Sequence, residues 1–255
     1  RFGVPVSEID TIQYGLGVEG TDITTFAASP LYYLDYVRVF GNHNTALVGT
    51  VGWVRDGRDS LIYPTSGSYH RAFVDSGIPG GSLRYYRANY QYQRYFPITR
   101  DYVLMWNGEI GIGGGYGGKP LPFFKNYFAG GVNSVRGYRL NSIAPRDDNN
   151  DPRGGTRKLL SNLEFLFPFP GMNNDRSVRM SAFIDAGAVY DPQASNANAQ
   201  IPQYKSLGQS IRFAGGTSLL WVSPFGPLKF SVGVPIGRKP GDQRQIMQFT
   251  FGGVF

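Results

Sequence analysis

The segment RSVRMSAFIDAGAVYDP, beginning at Arg176, alternates in character along its whole length. Val178, Met180, Ala182, Ile184, Ala186, Ala188 and Tyr190 share one phase, and all are apolar. Ser177, Arg179, Ser181, Phe183, Asp185, Gly187 and Val189 share the other, which is mostly polar or small. Successive side chains of a strand point to opposite faces, so a run of this kind reads as a strand with one apolar face. The pattern recurs along the chain. Ile12, Tyr14, Leu16 and Val18 stand opposite Gln13 and Glu19, and Tyr86, Ala88, Tyr90 and Tyr92 opposite Arg87, Asn89, Gln91 and Gln93. Leu104, Trp106, Ile110 and Ile112 oppose Asn107 and Glu109, while Leu163, Phe165 and Phe167 oppose Asn162 and Glu164. Leu228, Phe230, Val232, Val234 and Ile236 oppose Lys229 and Ser231. The final segment sets Met247, Phe249, Phe251 and Phe255 against Gln248 and Thr250. Further strands are expected near 45–56, 69–76 and 211–222, of which 69–76 alternates least cleanly. The total is about ten strands, with a stub at 1–6.

Two architectures accept such strands. A soluble sandwich buries the apolar face, whereas a membrane barrel turns it to lipid and keeps the polar face inside. Four features favour an antiparallel transmembrane barrel of outer-membrane type. The strands run to about ten residues, the length a tilted span requires. Their polar faces carry Arg, Glu, Asp, Asn and Gln together, as a wet lumen would. Aromatic residues, among them Trp53, Trp106, Trp221, Tyr190 and Phe255, crowd strand ends as interface girdles do. Short links near 57–68, 96–101, 168–176 and 222–227 alternate with mostly longer ones at 22–43, 77–82, 113–156, 191–210 and 237–243. Short turns are periplasmic and long loops extracellular in such barrels, which puts the chain's C-terminus on the periplasmic side.

Composition removes other classes. The chain has no cysteine and two histidines, His43 and His70, so thiolate chemistry and histidine-rich metal sites are not expected. Its net charge of +7 is scattered, without the basic run of a nucleic-acid patch. No apolar stretch is long enough for a transmembrane helix. The opening RFGVPV lacks an initiator methionine and a signal-like segment, and reads as the end of a strand. An open sheet edge cannot sit in lipid, so 1–255 is expected to be the C-terminal portion of one barrel whose upstream strands lie elsewhere.

The longest link, 113–156, contains FFKNYFAGGVNSVRGYRLNSIAP, with Val135, Arg136, Gly137 and Tyr138 at its centre. This tetrad, the YPTSG at 63–67, NLEF at 162–165, FIDAG at 183–187, SPFGPLKFSVGVPI at 223–236 and the terminal QFTFGGVF together resemble one family. It is the superfamily of outer-membrane assembly factors and two-partner secretion transporters, and the chain is nearest to the assembly factors within it. The resemblance implies a barrel of roughly sixteen strands, with periplasmic domains upstream and the link 113–156 folded into the lumen. It implies that Arg136 is held by Glu164 and Asp185. It further implies an aromatic-ended β-signal at Phe249, Phe251 and Phe255, and a weak seam between first and last strands. Gly252 and Gly253 suit that seam, since interior glycines weaken strand pairing; a bend at the chain end is the other reading of them. The physics of the tetrad agrees: a guanidinium fork seeks carboxylates, and glycine allows backbone shapes closed to other residues.

The implied function is non-enzymatic: insertion and folding of nascent outer-membrane β-barrel proteins, with periplasmic lipoprotein subunits and the lipid bilayer as partners, and with no cofactor, metal or nucleic acid. A translocation pore of the same superfamily is the alternative, and a diffusion porin a more distant one. GGGYGG at 113–118 formally fits a dinucleotide loop, but KPLPFF follows where a helix would have to start. DDNNDP at 147–152 lacks the full calcium-loop pattern and reads as a solvated turn.

Overall fold

The computed structural model describes residues 2–171, 177–194 and 203–252. Its strands are β1 (Phe2–Pro5), β2 (Asp10–Asp22), β3 (His43–Asp56), β4 (Gly67–Ile78), β5 (Tyr85–Pro97), β6 (Val103–Gly115), β7 (Gly137–Tyr138), β8 (Arg157–Pro168), β9 (Val178–Tyr190), β10 (Arg212–Ser223), β11 (Gly226–Ile236), β12 (Arg244–Gln245) and β13 (Met247–Phe251). Eleven form one antiparallel meander in the order β1-β2-β3-β4-β5-β6-β8-β9-β10-β11-β13, and β7 pairs with β12 separately. Every long strand is joined to its sequence neighbour, so the alternating phases of the sequence become two continuous faces.

Those faces are inverted relative to a soluble protein. Leu16, Val18, Val51, Ile184, Val234, Met247 and Phe249 are exposed, whereas Asn89, Asn162, Glu164, Ser181, Asp185, Arg212 and Ser231 are buried. Exposed apolar surface this extensive marks a face built for lipid or a partner. The buried polar groups face inward, because the sheet curls. Tyr63, in the β3–β4 turn, donates its hydroxyl to the Ser177 carbonyl at 3.1 Å, and Arg179 of β9 reaches the Pro64 carbonyl at 3.4 Å. In a flat sheet β4 and β9 would stand about 19 Å apart, so the strands must wind around an interior. Trp53, Trp106 and Trp221 all lie toward the short-turn rim; Tyr190 stands at the opposite rim.

Three expectations need correction. The link 22–43 contains a helix, α1 (Leu31–Phe40), which the sequence reading took for plain connection. Its aromatic residues fold it onto the long link: Tyr33 stacks on Phe123 at 4.1 Å, and Tyr36 meets the same ring edge-on at 5.3 Å. The 147–152 turn is only partly solvated. Asp147 is buried, and its carboxylate accepts the backbone N–H groups of Asn149 and Asp151 at 3.0 and 2.9 Å. The last strand ends at Phe251, so Gly252 lies outside it; a φ of +70° makes Gly252 a bend, with its N–H on the Pro227 carbonyl at 2.9 Å. Gly253 and Phe255 lie outside the described residues.

Candidate functional site

The link between β6 and β8 runs along the inner face from one end of the meander to the other. Lys125 pairs with Glu19 of β2 at 2.7 Å. Tyr127 donates to the carbonyls of Ala88 and Ile112, in β5 and β6, at 3.4 Å each. Further on, the Gln248 side chain of β13 donates to the Tyr138 carbonyl at 2.7 Å.

Glycines make the track for it. A β-carbon on Gly111 would come within 2.8 Å of the Tyr127 ring, and one on Gly113 within 2.9 Å of Leu121. The glycines of GGGYGG are therefore room for the link, and no helix follows them. Farther round, a β-carbon on Gly187 would sit 2.3 Å from a Val135 methyl, and one on Gly233 would sit 2.8 Å from the Gly137 nitrogen. Gly137 itself adopts φ +85°, and its own β-carbon would meet the Gly233 carbonyl oxygen at 2.7 Å. Side chains are excluded on both sides of that approach, so the tip and the β11 backbone touch directly.

Val135, Arg136, Gly137 and Tyr138 are all buried, and Arg136 is the centre of the site. Its backbone N–H and Nε both donate to Asp185 Oδ2, at 3.0 and 2.8 Å, while Nη2 donates to Oδ1 at 2.7 Å. Nη1 donates to Glu164 Oε2 at 3.0 Å and to the Ser218 hydroxyl at 3.3 Å. The guanidinium carbon lies 3.4 Å from the centre of the Phe183 ring. Glu164 and Asp185 occupy the inward phases of neighbouring strands β8 and β9, which is why two carboxylates converge on one cation. Asn162 completes the set: its amide donates to Asp185 Oδ1 at 2.9 Å and to the Ser134 carbonyl at 2.7 Å. The side chains of Arg136, Glu164 and Asp185 are 3%, 4% and 0% exposed. Burial disfavours the Arg136 charge, but Asp185 and Glu164 outweigh it and hold its pKa above the ordinary guanidinium range. Removing one member of such a buried set costs about 3–5 kcal/mol, because it strands the opposite charge.

Sequence reasoning missed a second buried pair. Arg212, at the start of β10, meets Asp242 at 2.9 Å, with both side chains 1% exposed. Asp242 belongs to the link that leads into β13. Arg146 of the long link also donates to the Gly241 carbonyl, and Arg139 N–H donates to the Gln243 carbonyl at 2.8 Å. The inward phase of Arg212 was readable from alternation, but its partner in a polar link was not. Of the seam residues, Phe249 and Phe251 are exposed on the outer face of β13, which pairs with β11 only from Leu228↔Phe251 to Val232↔Met247.

The model of the Omp85 superfamily domain matches residues 1–255. The chain belongs to the Omp85 superfamily. Among its curated relatives is the outer membrane protein assembly factor BamA of Neisseria meningitidis serogroup B, 36% identical over 282 residues, covering 100% of this chain and 35% of that protein. BamA of Nitratidesulfovibrio vulgaris is 29% identical over 263 residues, covering 100% of the chain and 31% of the relative. The mouse sorting and assembly machinery component 50 homolog is 25% identical over 199 residues, covering 74% of the chain and 41% of its own length. The chain thus spans about a third of the BamA relatives it matches. The crystal structure of Haemophilus ducreyi BamA lacking POTRA domains 1–3 superimposes with a TM-score of 0.87 at 26% identity, over 97% of this chain and 52% of that one. This Omp85 chain therefore has the fold of an outer-membrane β-barrel, as an open meander of a BamA-type C-terminal barrel.

Proposed function

We propose that this Omp85 chain is the C-terminal wall of an outer-membrane assembly factor that folds and inserts nascent β-barrel proteins. The observation that carries the reading is the buried Arg136–Asp185–Glu164 set, which holds the 116–156 link inside the curl and against the last strand. Clients would add by main-chain hydrogen bonds at a seam between the barrel's first and last strands. The short, five-residue β13 supports such an opening. The last strand and its β-signal aromatics would then belong to the gate, with the C-terminus periplasmic and lipoprotein subunits docking on that side.

A diffusion porin needs an open aqueous path along its axis. Here the link enters from one rim, and the 57–66 turn enters from the other through its Tyr63 and Pro64 contacts with β9. A cavity of about 480 Å³ lies between them, bordered by Pro64, Asn133, Arg136 and Lys229. That arrangement favours an assembly factor over a porin.

The test replaces Arg136 with Glu in the full-length protein, depletes the wild-type copy and counts porin trimers in the outer membrane. Loss of trimers with the variant still present is expected. Normal trimers would overturn the reading and favour a translocation pore.

A further inference from the structure

The outward face of the strands is apolar except near its rims. Among the described strand residues in the outward phase, the charged side chains are Asp10, Asp22, Arg55, Arg94 and Arg157. Asp22 and Arg157 stand at the long-link rim, leaving Arg55, Arg94 and Asp10 near the short turns.

These three surround an aromatic platform. Trp53 lies 5.7 Å from the His70 ring, His70 lies 4.6 Å from Tyr92, and Tyr92 lies 5.6 Å from Trp106. The platform therefore crosses β3, β4, β5 and β6 without a gap. Its polar atoms are already engaged. The Trp53 indole donates to Asp10 at 3.0 Å, Trp106 donates to the Ser161 hydroxyl at 3.0 Å, and His70 Nδ1 is 3.0 Å from the Tyr90 hydroxyl. A β-carbon on Gly108 would lie 3.2 Å from the Trp106 ring, so that indole lies flat along β6.

Arg55 pairs in register with His70, which pairs in turn with Tyr92, and Arg94 lies two residues beyond Tyr92. Strand spacing and rise put the two arginine Cα atoms about 12 Å apart, close enough for both guanidinium groups to reach one small anion over His70. The Arg55–Asp10 contact is loose, at 3.9 Å, and the Arg55 side chain is 48% exposed. Asp10 is instead engaged by Trp53 and by the Ser7 hydroxyl at 2.9 Å. Two cations against one committed carboxylate leave a net positive site.

We propose that Arg55 and Arg94 bind the phosphodiester of a glycerophospholipid, with His70 beneath the headgroup and the apolar wall above it taking the acyl chains. The aromatic platform fixes the depth, because amphipathic rings settle at the headgroup level. Guanidinium forks match phosphate oxygens, and a position between hydrocarbon and water strengthens such contacts. The wall that would receive the chains is Val51, Val74, Tyr90 and Ile110, all exposed on the same face. The assignment rests on the orientation under Proposed function, in which the short-turn rim lies in the periplasmic leaflet.

The test is native mass spectrometry of the full-length protein released from detergent after incubation with phosphatidylglycerol, in parallel with lipid A and with inorganic phosphate. The double variant R55Q/R94Q is compared with wild type, and R157Q serves as the opposite-rim control. Wild type and R157Q should retain phosphatidylglycerol, and R55Q/R94Q should retain about tenfold less. Equal retention by wild type and R55Q/R94Q overturns the site. Preferential retention of lipid A, lost in R55Q/R94Q, overturns the glycerophospholipid assignment and the orientation behind it. Heat-resistant migration of each variant on a cold detergent gel verifies folding. Porin trimers are scored separately, so the lipid site can fail while the assembly reading stands.

Discussion

Gly187→Ala tests the seat of the loop tip with a single added methyl. At its ideal position that methyl lies 2.3 Å from Val135 Cγ2 and 2.8 Å from a Leu160 methyl. Ordinary carbon contacts begin near 3.4 Å, so Val135 must withdraw by about 1 Å. Arg136 is its chain neighbour, and its Asp185 bonds of 2.7 and 2.8 Å would stretch beyond hydrogen-bonding range by the same movement. Overpacking alone costs about 1–3 kcal/mol, and loss of one charge-assisted bond adds about 1.5–3 kcal/mol. A total of about 3–5 kcal/mol is therefore expected, read as a lower urea midpoint and faster protease cleavage within 116–156 in the full-length barrel. Val135→Ala removes the clashing methyl. The double variant should recover most of that loss, although Val135→Ala is itself destabilising. If Gly187→Ala behaves as wild type, or if Val135→Ala adds to the damage instead of relieving it, the direct seating of tip on wall is wrong.

Asp185→Asn should cost more than Glu164→Gln in the same protease assay, because Asp185 accepts three bonds from Arg136 and Glu164 accepts one. Gln248→Leu removes the bond from β13 to the Tyr138 carbonyl, and should weaken the barrel by about 1–3 kcal/mol by leaving that buried carbonyl unpaired; the heat-resistant gel band is the readout. Asp242→Asn should free the link ahead of β13, seen as faster amide exchange over 237–246, with Arg212 left buried beside a neutral group. Burial, with Asp242 adding to it, pushes the Tyr138 hydroxyl up to about 12. A raised folded pKa contributes stability that is complete below the unfolded value near 10 and is lost as pH rises through 12, so Tyr138→Phe should flatten part of the alkaline loss in a urea series between those limits.

The strands were legible because their signal is local. Ile12, Tyr14, Leu16 and Val18 announce an apolar face within eight residues, and antiparallel neighbours in a meander need only their turns. The phase of Asp185 and Glu164 was legible for the same reason. Helix α1 was not, since YYLDYVRVF becomes helical by docking Tyr33 and Tyr36 on Phe123, nearly ninety residues away in the chain. The Arg212–Asp242 pair was hidden likewise, because polar links carry no period that says where they fold back. Alternation also overstated the last strand. IMQFTF continues the period to its end, but pairing stops where Gly252 bends the chain away.

The glycine track has a consequence for how such a sheet is made. Gly111, Gly113, Gly187 and Gly233 leave bare backbone on the inner wall, and bare backbone packs nothing by itself. Each hairpin of the meander can form locally, yet its curvature has no filling until Tyr127, Val135 and Arg136 arrive. The long link then works as a mandrel: the strands are wound on it, and drawing it out would leave an unfilled seam of the wall where each of those side chains had been.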